Sequence, residues 1–508
     1  MEVSIARHLS QSRDELIGVR TIVYNCQVHA AAKRRSAPQH PIDTEVSYVK
    51  LTRRDALKFA GMAVGAAVGT RGARAAAPTV VERDVCVIGG GSAGTYAAVR
   101  LGDLGKSVML VERSGRLGGH AETFVDPATG VPIDIGVIDL ENTPVVTAYL
   151  NRFGVQSVTS SLAPQAATSI DFRTGLPVTI SPPSQAAVGA ALSQYYEILV
   201  SQYPYLSAGF QLPNPVPPEL AAPFSTFVAT HGLQALVPTI FQYGAGAGNL
   251  LDDPALYVLK LFSINVVGAI FAGGFLNIPQ GTQQLYNAAL SYLGSNVLLN
   301  ANVCSVCRNG TVETLVSTPQ GMTLIRSSKL LWAAPPLLSN LGSVDLDDLE
   351  AATFGKLIAK EYSTGVVNIS GLPAGLTLNN AAANTPYNLP PLPGLYSLQA
   401  ATPGLYIPTF GANTPLSDGY IHSSIIQSIK QLAAAGTYPA KFQGWDVFSN
   451  HAPFQIGVTG ADIASGYYNV LNSLQGRNNT YYNSAAFQTN DSSLIWQFTE
   501  GLLPQITG

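Results

Sequence analysis

A strand, turn, helix and strand pattern near residue 90 constrains the fold of this chain more than any other feature. The apolar run 85–88 leads into Gly89, Gly91 and Gly94, which stand at the spacing GxGxxG and open a helical run. A second apolar run ends at Glu112, eighteen residues after Gly94. Glycines alone also mark ordinary turns, but this order of elements predicts a parallel βαβ unit and hence an α/β fold.

Each part of this unit has a role in holding a dinucleotide. Gly89 permits a tight turn, Gly91 lets the backbone approach a pyrophosphate, and Gly94 lets the helix pack closely on the strand. The free N–H groups at the helix N-terminus would bind the phosphates. Glu112 would accept hydrogen bonds from both hydroxyls of an adenosine ribose and would repel the 2′-phosphate of NADP.

The Arg-Leu-Gly-Gly segment at 116–119 favours one dinucleotide over the other. Arg116 supplies a cation for the pyrophosphate, and Gly118 and Gly119 have no side chain where a flavin would pass. We therefore predict FAD rather than NAD. A flexible loop tip is the alternative explanation of the glycine pair.

Together these motifs resemble the FAD-dependent amine oxidase and phytoene desaturase superfamily. The phrases at 116–123, 126–130 and 133–136 are similar to the branch that contains fungal beta-cyclopiazonate dehydrogenase. Polyenoic fatty acid isomerases are more distant relatives of that branch. The resemblance extends from about residue 82 to the C-terminus. It implies a Rossmann-like FAD-binding domain with an inserted helical domain and an α+β substrate domain.

The sequence divides into segments that match this architecture. A mainly helical stretch is interrupted by a proline-rich run at 213–218, and a later stretch alternates glycine- and proline-rich turns with short strand-like runs. We predict an N-terminal extension and signal at 1–77, the FAD-binding domain at 78–182 and 296–339, a helical insert at 183–295, a substrate domain at 340–450 and a C-terminal FAD-binding segment at 451–508.

The resemblance also implies cofactor contacts outside the first domain. The backbone of Val303 would face the adenine, and Asp491 would cap a helix whose free N–H groups face electron-rich oxygens of the cofactor. Relatives usually have glycine where this chain has Ser484. The predicted cofactor-binding residues are Gly89, Gly91, Ser92, Ala93, Gly94, Glu112, Arg113, Arg116, Gly118, Gly119, Gly136, Val303, Ala486, Asp491 and Ser492. No cysteine follows Cys307, so we predict non-covalent FAD.

His120 is the predicted catalytic residue. FAD itself accepts the hydride, so the protein mainly orients the substrate and sets the polarity around the flavin ring. His120 directly follows the glycine pair and could carry a proton or donate a hydrogen bond to the ring or substrate. A hydrogen bond to the pyrophosphate or to a loop carbonyl is the alternative.

The net charge of the chain and the spacing of its cysteines and histidines leave small molecules as the expected partners. Residues 1–77 hold 12 Lys and Arg against 6 Asp and Glu, which leaves 16 against 25, or −9, for the rest. This balance argues against nucleic acid. Cys304 and Cys307 lie in a strand-like run, where residues three apart point to opposite faces, and the histidines show no metal-ligand spacing. We predict no metal.

The N-terminal region predicts export to the periplasm or the exterior. Residues 52–58 match a twin-arginine motif, 59–68 form a short apolar run, and small residues at 73–77 suit cleavage. That run is too short for a bilayer, which requires about 20 residues. We interpret the apolar stretch 261–276 as a buried helix lining a substrate tunnel rather than a span, which leaves a peripheral membrane contact open.

Three functions are consistent with these observations. The leading one is an exported FAD-dependent oxidoreductase that dehydrogenates a small apolar or amine-bearing substrate by hydride transfer to flavin N5, with oxygen or another acceptor. The alternative is a polyunsaturated fatty acid double-bond isomerase, for which the apolar stretch would form an acyl tunnel. The third is a non-catalytic protein stabilised by FAD, which the retained glycine and C-terminal motifs disfavour.

Overall fold

The computed structural model describes residues 77–160, 167–244 and 248–508. The twin-arginine motif and its apolar run lie outside the described residues.

A largely parallel sheet carries the predicted βαβ unit. Its central strand, Thr79–Ile88, pairs in parallel with Val108–Val111 on one side and with Gly321–Trp332 on the other. Residues 85–88 and 108–111 are all buried, as expected for parallel strands covered on both faces. In the described part of the chain the sheet has seven strands, in the order Asn302–Cys307, Val312–Thr318, Gly321–Trp332, Thr79–Ile88, Val108–Val111 and Val297–Leu298, with Thr480–Tyr482 paired to Gly321–Trp332.

The helix that follows the glycines agrees with its prediction, whereas one strand-like run differs from it. The helix after the glycines spans Ser92–Asp103 and is followed by Gly105 at φ +78°. The strand-like run at 297–306 is not continuous. Asn300 takes φ +51°, a left-handed conformation, and separates two short strands of the same sheet.

A second sheet lies mainly in the range predicted to be the substrate domain. Its order in the described residues is Lys441–Asn450, Ile358–Ser370, Leu405–Ala412, Gly394–Ala400, Thr377–Asn380, Ala167–Asp171 and Leu176–Pro177, with Phe454–Gly457 paired to Ile358–Ser370. The helix Asp418–Ala434 contacts this sheet and contributes Ile421, Ile425, Ile429 and Leu432 to its core. Their spacing of three or four residues places them on one helical face.

The second sheet does not follow the predicted segment boundaries. Ala167–Asp171 falls in the range 78–182 but pairs in parallel with Thr377–Asn380. Phe454–Gly457 falls in the C-terminal range but pairs with Ile358–Ser370. These pairings join strands that are far apart in sequence, and local periodicity carries no information about them.

The insert between the two halves of the first sheet is mainly helical. The apolar stretch 261–276 is not the single helix that we predicted, because one helix ends at Leu261 and Ser263 caps the next by accepting from Val266 N. Searching the described ranges reveals no helix with the length and hydropathy needed to cross a membrane. The helices are Gln185–Gln202, Pro218–Ala221, Phe224–His231, Val237–Tyr243, Ala255–Leu261, Ile264–Phe271 and Gln283–Leu293.

The remaining strands and helices lie between the first sheet, the second sheet and the helical insert. Two small antiparallel sheets pair Thr123–Val125 with Pro132–Asp134 and Val158–Thr159 with Leu276–Asn277. The C-terminal helix packs against Ser92–Asp103, which brings together two helices that are far apart in sequence. The other helices are Pro144–Arg152, Asp348–Phe354, Gly460–Ala464, Tyr467–Asn472 and Ser492–Thr507.

Candidate functional site

Gly89, Gly91 and Gly94 differ in how much space a side chain would have at each position. Gly89 has φ +105°, and a Cβ there would lie 3.0 Å from the carbonyl carbon of Ala333. A Cβ on Gly94 would lie 1.9 Å from Gly89 O, so the packing of helix on strand requires this glycine. A Cβ on Gly91 would meet only Gly119 Cα, at 3.8 Å. The open side of Gly91 is where the pyrophosphate is predicted to lie.

The glycine pair of the second motif lies directly on this turn. Gly118 N donates to Gly90 O over 2.8 Å, and Gly118 forms an isolated parallel bridge with Gly91. Gly118 and Gly119 both have positive φ, at +115° and +56°. The structure therefore joins the two motifs that sequence spacing assigned to one cofactor.

Glu112 ends its strand beside the same turn. Its Oε2 accepts from Gly90 N over 2.6 Å, and its Oε1 accepts from Ser114 N over 2.7 Å. Each carboxylate oxygen has a further lone pair, so the group can still accept from ribose hydroxyls. Ala301 N donates to Glu112 O over 2.9 Å, two residues before Val303, and the predicted contact of Val303 with the adenine stays a prediction.

The two arginines of this region differ in their contacts. Arg113 is exposed. The Arg116 guanidinium donates to Gly119 O over 2.9 Å and to Ala121 O over 3.0 Å, and it forms an ion pair with Glu122. Arg116 therefore holds the loop in shape, and its predicted contact with the pyrophosphate stays a prediction.

The C-terminal segment reaches the glycine turn from the other side. Asp491 caps the last helix by accepting from Leu494 N over 3.0 Å, which confirms the predicted cap. Ser92 Oγ donates to Ser492 Oγ over 2.9 Å and accepts from Trp496 Nε1 over 2.9 Å. The N-termini of two helices separated by 400 residues of sequence thus meet at the predicted cofactor site.

Three further predicted contacts are closely packed. Ala93 and Ala486 are buried, the first in the helix after the turn and the second just before the C-terminal helix. A Cβ on Gly136 would lie 1.7 Å from His120 O, so any side chain there would displace the loop.

His120 stacks on a second histidine that the sequence did not indicate. The rings of His120 and His451 lie 4.4 Å apart with an interplanar angle of 11°. His451 is 2% exposed, and its Nε2 has no hydrogen-bond partner. Burial, followed by the charges of Arg116 and Arg113, lowers the pKa of His120 to about 4. Burial and the neighbouring His120 hold the pKa of His451 well below its usual range, so both rings are neutral at neutral pH.

A buried carboxyl pair lies at the start of the C-terminal helix. Glu141 is 4% exposed, its backbone N donates to Ser493 Oγ over 3.1 Å, and its carboxyl group hydrogen-bonds Asp491. Burial and the charge of Asp491 raise the pKa of Glu141 well above its usual range. Burial and the contact with Asp491 therefore favour the neutral form of the Glu141 carboxyl group.

A buried lysine links the helical insert to the C-terminal segment. Lys260 is 2% exposed, and its Nζ donates to Leu206 O over 2.6 Å and to Gln488 Oε1. Burial lowers the pKa of Lys260 to about 7. Lone basic residues are common in sequences, so nothing in the spacing around Lys260 indicated this position.

Two cavities lie between the helical insert and the second sheet. The outer cavity, of about 330 Å³, holds the ion pair of Asp253 with Lys360 and is also bounded by Asp252. The inner cavity, of about 10 Å³, is lined by Phe210, Lys260, Ile456, Ala485, Thr489 and Asn490. Tyr257 and Gln455 line both. Within the described ranges no group of His, Cys, Asp and Glu could hold a metal ion.

The site has the features that FAD requires. Gly91 leaves room for a pyrophosphate, the helix after it has no side-chain cap on its N-terminal N–H groups, and Glu112 keeps acceptor capacity for a ribose. Together the fold and the site define a dinucleotide-binding flavoenzyme.

Comparison with known proteins identifies the family. Residues 87–153 match the NAD(P)-binding Rossmann-like domain. The FAD-dependent oxidoreductase oblC of Cochliobolus heterostrophus is 36% identical over 445 residues, covering 84% of this chain and 92% of the relative. Beta-cyclopiazonate dehydrogenase of Aspergillus oryzae is 32% identical over 430 residues, covering 84% and 93%. The chain belongs to this family of FAD-dependent oxidoreductases, and its cofactor is FAD.

Solved structures agree with this fold. The CLA-producing fatty acid isomerase from P. acnes has a TM-score of 0.70 at 18% identity, and putrescine oxidase bound to putrescine has a TM-score of 0.58 at 15% identity. Both alignments cover 84% of this chain and 99% of the other. The Rossmann-like α/β fold and the likeness to amine oxidases that the sequence predicted are confirmed.

Replacing Glu112 by alanine should weaken FAD binding by about 1.5–3 kcal/mol, because a charged acceptor for two ribose hydroxyls is lost. FAD titration of apoprotein measures the change. Glu313→Ala, which removes an acid from another strand of the same sheet, should leave FAD affinity unaltered. Equal affinities in wild type and Glu112→Ala would contradict the ribose assignment.

The free energy of unfolding should fall by about 2 kcal/mol between pH 7 and pH 5 through His120 alone. The unfolded chain takes up a proton near pH 6.5, whereas the folded protein keeps His120 neutral down to about pH 4. The stabilisation is therefore present above pH 6.5 and is lost as pH falls towards 4. Urea unfolding at both pH values, repeated with His120→Asn, measures it. An unchanged pH dependence in the variant would show that His120 is not the group responsible.

Proposed function

We propose that the enzyme dehydrogenates a small apolar or amine-bearing molecule that binds in the outer cavity. Bound FAD supplies the hydride acceptor, at flavin N5. The observation that carries this proposal is the chemistry of the cavity. Its Lys360 is paired with Asp253, and Asp252 adds a second acid, so the walls offer no excess of positive charge.

The same chemistry disfavours the fatty acid isomerase alternative. A fatty acid brings a carboxylate, which needs a cation or several hydrogen-bond donors when it leaves water. The cation of the outer cavity is already neutralised by Asp253, and Asp252 would repel a second anion. An uncharged ring compound or an amine needs no cation in the cavity and is not repelled by Asp252.

The protein's own groups would orient the substrate and hold protons. The neutral His120 ring can donate from one nitrogen and accept at the other, which suits a hydrogen bond to substrate or flavin better than a permanent cation would. Glu141, whose pKa is raised by burial and by Asp491, can hold a proton at the helix end that is predicted to face the cofactor. The proposal includes oxygen as the electron acceptor and export of the enzyme, which rests on the twin-arginine motif in the sequence.

The experiment follows the visible flavin band anaerobically after separate additions of amine, indole-alkaloid and polyunsaturated fatty acid pools. Bleaching by an amine or alkaloid pool that recovers with air would support the proposal and identify the substrate class. An unbleached flavin accompanied by new conjugated-diene absorbance in the fatty acid pool would overturn it. Free FAD with each pool provides the control for bleaching without protein.

A further inference from the structure

The outer and inner cavities share two lining residues, which we call the wall between them. Gln455 and Tyr257 line both the outer cavity of about 330 Å³ and the inner cavity of about 10 Å³. An inner cavity of that size holds about one water molecule. A substrate in the outer cavity therefore cannot continue inward unless this wall moves.

The two residues of the wall are held very differently. Tyr257 Oη donates to Val458 O over 3.0 Å, accepts from Val458 N over 2.5 Å and accepts from Tyr468 Oη over 2.9 Å. Among the described residues, the side chain of Gln455 accepts one hydrogen bond, from Asn490 Nδ2 over 3.2 Å. Tyr257 is the fixed side of the wall, and Gln455 can turn away when one bond breaks.

The backbone of Gln455 is also unusual. Its φ is +45°, a left-handed conformation that a glutamine adopts only when its surroundings impose it. It lies within the strand Phe454–Gly457, at an irregularity between the paired residues Phe454 and Gly457, so the bulge positions its backbone. Such local strain tends to occur at functional positions, and here it occurs at the boundary between the cavities.

The inner cavity leads towards the cofactor segment. Its lining includes Ala485, Thr489 and Asn490, which are neighbours in sequence of the predicted FAD contacts Ala486 and Asp491. A molecule that passes Gln455 therefore reaches the part of the chain assigned to the flavin. Movement of Gln455 would join the two spaces into one passage.

We propose that Gln455 is the gate between an outer substrate cavity and the flavin, and that its size limits which substrates reach the cofactor. The gate extends the proposed function by naming the residue that selects among small apolar or amine-bearing molecules. Its test uses access to the inner cavity rather than turnover, so it gives an answer whichever substrate the enzyme uses.

The experiment measures how fast methyl methanethiosulfonate labels a thiol on either side of the gate in FAD-loaded enzyme. Cys304, which is free and exposed, is first replaced by serine. Ala485→Cys then reports on the inner cavity, and Ala359→Cys, in the outer cavity, is the matched control. Mass spectrometry follows labelling with time.

Adding Gln455→Ala should speed labelling at Ala485→Cys at least tenfold and leave labelling at Ala359→Cys unchanged. Gln455→Asn, whose shorter side chain tolerates positive φ, should give a smaller increase without loss of folding. Equal rates at Ala485→Cys with and without Gln455→Ala would overturn the proposal. An equal increase at both reporter positions would also overturn it, because it would indicate general loosening instead of a gate.

Discussion

Valine in place of Gly91 should abolish FAD binding while leaving the protein folded. The backbone of Gly91 has φ −72°, which any residue adopts, and the nearest atom to an added Cβ is Gly119 Cα at 3.8 Å. The chain itself therefore has room for a side chain there. The pyrophosphate does not, because it must approach the backbone at this glycine.

The matched variants separate a lost cofactor from a lost fold. Gly189→Val changes a helical glycine that has no atom within 4 Å of an added Cβ, and it should retain FAD. Gly94→Val should unfold the protein, because its Cβ would lie 1.9 Å from Gly89 O. The measurements are flavin absorbance per protein and the midpoint of urea unfolding. A folded Gly91→Val protein with a full complement of flavin would contradict the assigned pyrophosphate position.

Alanine in place of Arg308 should lower the free energy of unfolding by about 3–5 kcal/mol, since it leaves a buried charge without its partner. The Arg308 guanidinium donates to both carboxylate oxygens of Glu350 over 2.7 Å and to Asp345 over 2.8 Å. The side chains of Arg308 and Glu350 are 1% and 0% exposed. Tyr482 Oη also donates to Glu350, so this cluster joins the first sheet to the C-terminal segment.

A partly exposed ion pair provides the control for this effect. Arg326 pairs with Glu313 over 3.0 Å across two neighbouring strands of the same sheet, and Arg326→Ala should cost about 0–1 kcal/mol. Urea unfolding of both variants gives the comparison. A loss in Arg308→Ala no larger than that in Arg326→Ala would show that the buried cluster does not stabilise the fold.

Local sequence patterns predicted the parts of the site that depend on local geometry. The turn at Gly89, the helix from Ser92, the acid at Glu112 and the cap at Asp491 each follow from residues within a few positions of one another. Steric limits and unsatisfied N–H groups act over that range, so spacing alone indicates them. The meeting of the two cofactor motifs followed from their shared chemistry.

The parts that depend on long-range pairing could not be predicted in this way. His451 contacts His120 only because the connection between the strands Lys441–Asn450 and Phe454–Gly457 reaches the glycine loop, and no spacing between the two histidines reveals that contact. The strand Ala167–Asp171 pairs with Thr377–Asn380 for the same kind of reason. Lys260 is buried by packing between the insert and the C-terminal segment. In each case the decisive neighbour is hundreds of residues away or on another element.

The stoichiometry of a single anaerobic turnover tests the proposed dehydrogenation most directly. Flavin absorbance and product analysis together give the number of flavins reduced for each substrate molecule consumed. We expect one flavin to be reduced for each molecule of a small apolar or amine-bearing substrate that the enzyme dehydrogenates. Conversion of substrate to an isomer of the same mass, with the flavin oxidised at the end, would contradict it.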